Sequence, residues 1–261
     1  RSFIRVISGA VLTLAGVLGL SYFYSTSDKS YNEKVSRDVS STDFIKLPNP
    51  ITIGNMSVEE AIAKRRSIRE YIDESLNLTE VSQLLWAAQG ITDQRYGLKT
   101  APSAGGTYPL EVYIAVRSQG VYDIEAGIYQ YDPAEHALIL ISKGDFSEKL
   151  MAAAVDQAWV AEAALNIIIT GIFDRTTVKY GERGIQYVLQ ETGHVDENIY
   201  LMAIALGLGK AVIGAFHEEE IQRILGLPKD EKPLYVAPIG KTKCLGHPNQ
   251  KLGFCENEPS G

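Results

Sequence analysis

Residues 127–142, GIYQYDPAEHALILIS, narrow the folds open to this chain more than any other stretch. Two runs rich in β-branched and aromatic residues flank a turn at Pro133 to His136, so the stretch reads as a β-hairpin. A hairpin pairs its strands antiparallel. Residues 111–117 alternate as a further strand, and residues 165–170 are apolar enough to be a buried one. Residues 211–216 and 234–239 supply two more, separated by a helix beginning near Glu218. Residues 180–206 carry the period of one long helix, with Gly193 where a neighbour can approach closely and Gly207 near its end. Earlier, Ser57 and Glu60 form a capping box that opens a helix through Ile62 toward Arg66. Thr79 is placed to cap a second helix, in which Val81, Leu84, Leu85 and Ala88 share one face and which Gly90 stops. Hairpins mixed with helices predict an α+β domain on a mixed or antiparallel sheet rather than a doubly wound one.

With 45% hydrophobic and 22% charged residues, the chain can bury a sizeable core. A net charge of −7 argues against a nucleic-acid partner, which would call for a basic face. Before the domain, residues 6–27 read VISGAVLTLAGVLGLSYFYSTS and carry no charge. Roughly 20 apolar residues span the ~30 Å hydrocarbon layer, and Tyr22, Phe23 and Tyr24 stand where an interfacial belt belongs. A cleaved signal peptide is the rival reading, with Arg1 and Arg5 as its basic start. The run is longer than such peptides use, and no A-x-A site follows. The expectation is therefore an N-terminal transmembrane helix over 1–27, membrane-anchored, with the domain on the extracytoplasmic side. A polar linker follows over 28–50, then the folded domain over 51–243 and a tail over 244–261. Cys244 and Cys255 both lie in that tail, where a disulfide and two separate thiols remain equal alternatives.

Three places depart from what packing needs. In KRRSIR, residues 64–69, Arg65, Ser67 and Arg69 alternate, so an extended backbone would project them to one side as a phosphate clamp. The plainer alternative is a solvated basic helix end. In TAPSAGGTYPLEVYI, residues 100–114, Ser103, Gly105, Gly106 and Thr107 precede a strand. Glycines there let backbone approach a flat or anionic ligand, although an ordinary glycine turn has the same composition. In VKYGERGIQYVLQETGH, residues 178–194, Lys179 and Tyr180 stand side by side and can trade a proton with a substrate. Glu191 and His194 fall on one helix face there, but no third metal ligand accompanies them, so no metal site is expected. No G-x-G-x-x-G, Walker or G-x-S-x-G pattern occurs.

Taken together, RRSIREY (65–71), APSAGGTYPLEVYI (101–114), GIYQYDPAEHAL (127–138), KYGERGIQYVLQETGHVDENIYLMAIALGLG (179–209), VIGAF (212–216) and PIGK (238–241) resemble the nitroreductase family. The resemblance is nearest to its SagB-type branch of thiazole- and oxazole-forming, azoline-oxidising dehydrogenases. It implies a nitroreductase-like sheet flanked by helices in an intertwined homodimer, with FMN at each end of the interface. By that resemblance Arg65, Arg66, Ser67 and Arg69 hold the phosphate and ribityl chain, with Gly240 and Lys241 meeting the phosphate from the last strand. The loop of Ser103, Gly105, Gly106 and Thr107 reaches the cofactor from the partner subunit, and Ile213 and Gly214 lie near flavin N5. Lys179 and Tyr180 are the catalytic pair. Ordinary nitroreductases carry an Asn-Gln-Pro-Trp-like run where this chain has Gly-Gly-Thr-Tyr-Pro. The implied activity is hydride transfer between a small or peptide substrate and FMN at a membrane surface. Two alternatives stand beside it: a nitro or quinone reductase drawing on NAD(P)H, and an anchored binding protein without redox activity.

Overall fold

The structure, a computed structural model, describes residues 44–243, 250–251 and 254–255. In chain order the elements are β1 (Phe44–Lys46), α1 (Val58–Lys64), α2 (Leu78–Gln89), β2 (Ile91–Asp93), β3 (Leu98–Lys99), β4 (Leu110–Val116), β5 (Gly127–Asp132), β6 (Ala137–Lys143), α3 (Ser147–Ala153), α4 (Trp159–Glu162), β7 (Leu165–Ile172), α5 (Asp174–Tyr180), α6 (Arg183–Ala205), β8 (Leu208–Lys210), α7 (Glu218–Leu225), β9 (Glu231–Lys241), β10 (Gln250–Lys251) and β11 (Phe254–Cys255). Seven strands form the main sheet in the order β1-β6-β5-β4-β7-β9-β8. Every pairing in it is antiparallel.

The two-residue period of the central strands sorts their side chains into two cores. From β4, Val112, Ile114 and Val116 join Leu165, Ile167 and Ile169 of β7 against α2 and α6, where Leu84, Leu85, Val188, Val195 and Ile199 close the cluster. Tyr113 and Ala115 of β4, Ile168 of β7 and Val236 of β9 face the other way, toward Leu150 of α3, Val160 of α4, and Ile221 and Leu225 of α7. Each fully buried Val, Leu or Ile adds about 1.5–3 kcal/mol to folding. With helices on both faces, the central strands read as continuous apolar runs.

The expected α+β fold, the hairpin and its turn are all present. Several details differ. The N-cap of α2 is Asn77, two residues before Thr79. The Asn77 side chain accepts from the Glu80 N–H, and the Glu80 carboxylate accepts from the Asn77 N–H, each at 2.9 Å. Ser57 does accept the Glu60 N–H at 3.1 Å, but the Glu60 carboxylate bonds Lys64 at 2.6 Å instead of closing the box. The long helix expected over 180–206 is present as the unbroken α6 but starts at Arg183, because Tyr180 ends α5 and Gly181, whose φ of 58° and ψ of −149° only glycine adopts readily, separates the two. Residues 211–216 form a single bridge, Ile213 to Val236, and β8 supplies the edge strand instead. The edge strand β1 begins at Phe44, inside the stretch expected to be linker.

The membrane-anchored localisation is corrected. No helix among the described residues is long and apolar enough to cross a membrane. The longest, α6, carries Arg183, Glu191, Asp196 and Glu197. The charge-free run 6–27 on which that expectation rested lies outside the described residues, as do Cys244 and the side chain of Cys255.

Candidate active site

Once α1 ends at Lys64, the backbone opens at Arg65 (φ −56°, ψ 121°) and runs extended. The Ile68 N–H donates to the Lys210 carbonyl at 2.8 Å, and the Ile72 N–H to the Lys241 carbonyl at 2.9 Å. Ile68 is wholly buried, and Arg65, Ser67 and Arg69 are half-buried around it, as the alternation predicts. Arg66 is exposed and turned back, donating to the carbonyls of Ala63 (3.2 Å) and Arg65 (2.7 Å), so it does not join them.

α6 supplies the wall beneath this trio. Tyr200 places its hydroxyl 2.9 Å from that of Ser67, and the Arg65 guanidinium lies 5.2 Å from the Tyr200 ring centre. Arg65 meets Glu197 at 3.8 Å, longer than a charge-assisted hydrogen bond. Arg69 stacks 5.7 Å from the Trp159 ring. Under Tyr200 lies a buried ion pair that sequence reasoning missed: Lys210 Nζ donates to Asp196 Oδ1 at 2.6 Å and faces the Tyr200 ring at 3.4 Å. Burial pushes Lys210 down to about 8, against the pull of Asp196, and pushes the Asp196 carboxyl up. Burial likewise raises Tyr200 and Tyr71. Gly240 serves Tyr71, because a Cβ there would stand 3.0 Å from the Tyr71 ring. Lys241 pairs with Glu80, the capping carboxylate of α2. Ile213 is buried in its bridge to Val236, whereas Gly214 is exposed, with only the Tyr235 ring near a Cβ, at 3.6 Å.

The second group gathers where α5 meets the loop 103–107. Gly105 and Gly106 have φ of 63° and 67°, the left-handed region that glycine tolerates. Lys179 Nζ donates to the Gly105 carbonyl at 3.3 Å. A Cβ on Gly105 would fall 2.3 Å from the Tyr180 hydroxyl and 2.5 Å from Lys179 Nζ, so the bare backbone is what lets the pair converge there. Thr107 bonds Thr176 of α5 at 2.8 Å, and the Ser103 hydroxyl oxygen accepts the Tyr108 N–H at 2.9 Å. Tyr180 meets Tyr187 edge-on at 5.2 Å. Glu191 is buried and His194 exposed.

Within one chain the two groups stay apart. Tyr187, against Tyr180, and Tyr200, against Arg65, are separated along α6 by about 20 Å at 1.5 Å per residue. Sequence reasoning missed Tyr200, Asp196 and Lys210. The signal for Lys210 was a lone charge in the apolar run 208–216, which must find a partner when buried.

Comparison with known proteins adds the following. A model of the nitroreductase family matches residues 62–241. A protein of Methanocaldococcus jannaschii described as a nitroreductase is 45% identical over 197 residues, covering 76% of this chain and 96% of that one. The microcin B17-processing protein McbC of Escherichia coli is 25% identical, over 65% of each chain. A crystal structure from Ralstonia eutropha described as a nitroreductase aligns with a TM-score of 0.68 at 30% identity, covering 78% of this chain and 91% of that one.

Proposed function

The chain belongs to the nitroreductase family of oxidoreductases, and from that membership we propose an FMN-dependent dehydrogenase of the azoline-oxidising type that acts on a small or peptide substrate. The observation that carries this reading is the convergence of Lys179 and Tyr180 on the Gly105 backbone. The 25% identity to a peptide-processing protein supports the same direction.

The residues present fit a phosphorylated flat cofactor. Arg65, Ser67 and Arg69 lie half-buried in an extended segment around the buried Ile68, a donor set suited to a phosphate and a polyol. Gly214 and Gly106 leave backbone open where a flat ring can approach. FMN, when bound, supplies the hydride-acceptor chemistry. The protein's part is to orient and to move the proton. Arg65, Ser67 and Arg69 fix the phosphate end, and Lys241 would have to exchange Glu80 for it. The Lys179–Tyr180 pair would take the proton that leaves the substrate carbon as hydride is lost, the Tyr180 phenol handing its own proton to the Lys179 amine as it accepts the substrate's. Because the two groups are about 20 Å apart along α6, a second copy of the chain brings the loop 103–107 to the guanidinium side, and the active form is a homodimer.

Lys179→Ala tests the assignment on a thiazoline-bearing peptide. It should retain FMN and lose turnover by about 10²–10⁴-fold, the range of general acid–base catalysis. Normal turnover in that variant would remove Lys179 from the mechanism. A second reading rests on the 45% identity to a protein described as a nitroreductase: reduction of nitro compounds or quinones by NAD(P)H. Stopped-flow mixing of the FMN-loaded chain with NADH and NADPH separates the two, since rapid bleaching of the flavin favours the reductase.

A further inference from the structure

Tyr200 stands where the segment 65–69, α6 and β8 meet, and it is only 4% exposed. Its hydroxyl lies 2.9 Å from that of Ser67. Its ring centre has the Arg65 guanidinium at 5.2 Å and Lys210 Nζ at 3.4 Å. Lys210 of β8 ties these contacts together. Its carbonyl accepts the Ile68 N–H at 2.8 Å, which fixes the backbone next to Ser67. Its ammonium, set against the Tyr200 ring, donates to Asp196 at 2.6 Å. Asp196 and Tyr200 are four residues apart on α6, and so neighbours on one helix face. Ser67, Tyr200, Lys210 and Ile68 thus close a circuit, in which no member shifts without breaking a contact. Burying a phenol costs free energy unless its oxygen is bonded, and the bond that Tyr200 makes goes to Ser67.

We propose that Tyr200 is a positioning residue of the phosphate clamp and sets the preference of the chain for a phosphorylated flavin. Its hydroxyl orients the Ser67 proton toward the phosphate, and its ring seats the Arg65 guanidinium. This inference rests on the clamp of Arg65, Ser67 and Arg69 in the reading above. Ser67 has one proton to give. Burial raises Tyr200, so the phenol keeps its own proton and can donate it to Ser67 Oγ. The Ser67 proton is then left for an anion, and the two bonds in series polarise one another. The ring works beside the hydroxyl. A guanidinium held against an aromatic ring keeps its in-plane N–H groups for phosphate oxygens. Riboflavin ends in a hydroxyl and carries no charge there, so it gains little from either arrangement.

Equilibrium titration of the full chain with each flavin, in a double-mutant cycle on Tyr200 and Ser67, tests this. Tyr200→Phe keeps the ring and should weaken FMN about tenfold, the worth of one hydrogen bond to a charged group. Ser67→Ala should weaken it by a similar factor. The double variant should lose no more than Ser67→Ala alone, because the hydroxyl of Tyr200 acts through Ser67. Tyr200→Leu also removes the seat of Arg65 and should lose about a further tenfold. Riboflavin affinity should stay within about twofold throughout. Native FMN affinity in Tyr200→Phe would overturn the proposal. So would losses that multiply in the double variant, or riboflavin weakened as much as FMN, which is the mark of a merely structural tyrosine. Should Tyr200→Leu fail to fold, Tyr200→Phe and the cycle still decide. An unaltered Tyr200→Phe ends this inference alone, whereas a native chain that holds both flavins equally ends it together with the clamp.

Discussion

Replacing Glu191 by Gln should make the protein more stable, and only at high pH. The carboxyl ionises near 4.5 in the unfolded chain and is pushed up to about 7 in the fold, chiefly by burial. Its native pKa is raised, so between those values the folded state binds more protons, and stability falls as pH rises through the window. Once pH exceeds both values, the accumulated loss is 1.36 × (7 − 4.5), about 3 kcal/mol. Part of that loss has already built up by pH 5, leaving about 2.5 kcal/mol between pH 5 and pH 8.5. Gln keeps the shape and cannot ionise. Urea unfolding of both proteins at pH 5 and 8.5 gives the difference directly. The gap between variant and parent should widen in favour of Gln by about 2.5 kcal/mol at the higher pH, or roughly 5–10 °C in Tm for a domain of this size. A gap that stays constant to within about 0.5 kcal/mol would refute the claim that Glu191 is desolvated.

Gly105→Ala should disturb the site more than Gly106→Ala. Both have left-handed φ, at about 1–2 kcal/mol for a residue with a Cβ, but only the first would drive that Cβ into Tyr180 and Lys179. Thermal unfolding and turnover measured side by side should show the larger loss for Gly105→Ala. Ile167→Ala, at a wholly buried position on β7, should cost about 2–5 kcal/mol in urea unfolding through loss of burial and the cavity left behind. Asn77→Ala should cost about 1 kcal/mol by removing the α2 cap, seen as a lower midpoint with unchanged slope.

The parts legible in the sequence were those fixed by local pattern. The hairpin over β5 and β6 could be read because a turn composition separates two strand-like runs, and the two-sided core followed from apolar strands. The alternation of Arg65, Ser67 and Arg69 was legible because an extended segment has a period of two, and Arg66 fell outside the trio for the same reason. What escaped depended on long-range geometry. The break at Gly181 interrupts a helical pattern that continues on both sides, so periodicity passes over it. The Lys210–Asp196 pair joins β8 to α6, and no local rule connects the two. Residues 211–216 look like a strand by composition, yet beyond β8 the segment keeps only Ala211 and Ile213 bonded to Pro238 and Val236 of β9. Glu191 carries no sequence mark of burial beyond its place on the apolar side of α6.

A titration of the purified full chain with FMN and, separately, with riboflavin tests most directly whether Arg65, Ser67 and Arg69 grip a phosphate beside a flat ring. FMN should bind, quench its own fluorescence and turn the protein yellow. It should bind about 100-fold more tightly than riboflavin, as two charge-assisted contacts to the phosphate imply. Equal affinity for the two flavins, or a chain that takes up neither, would contradict it.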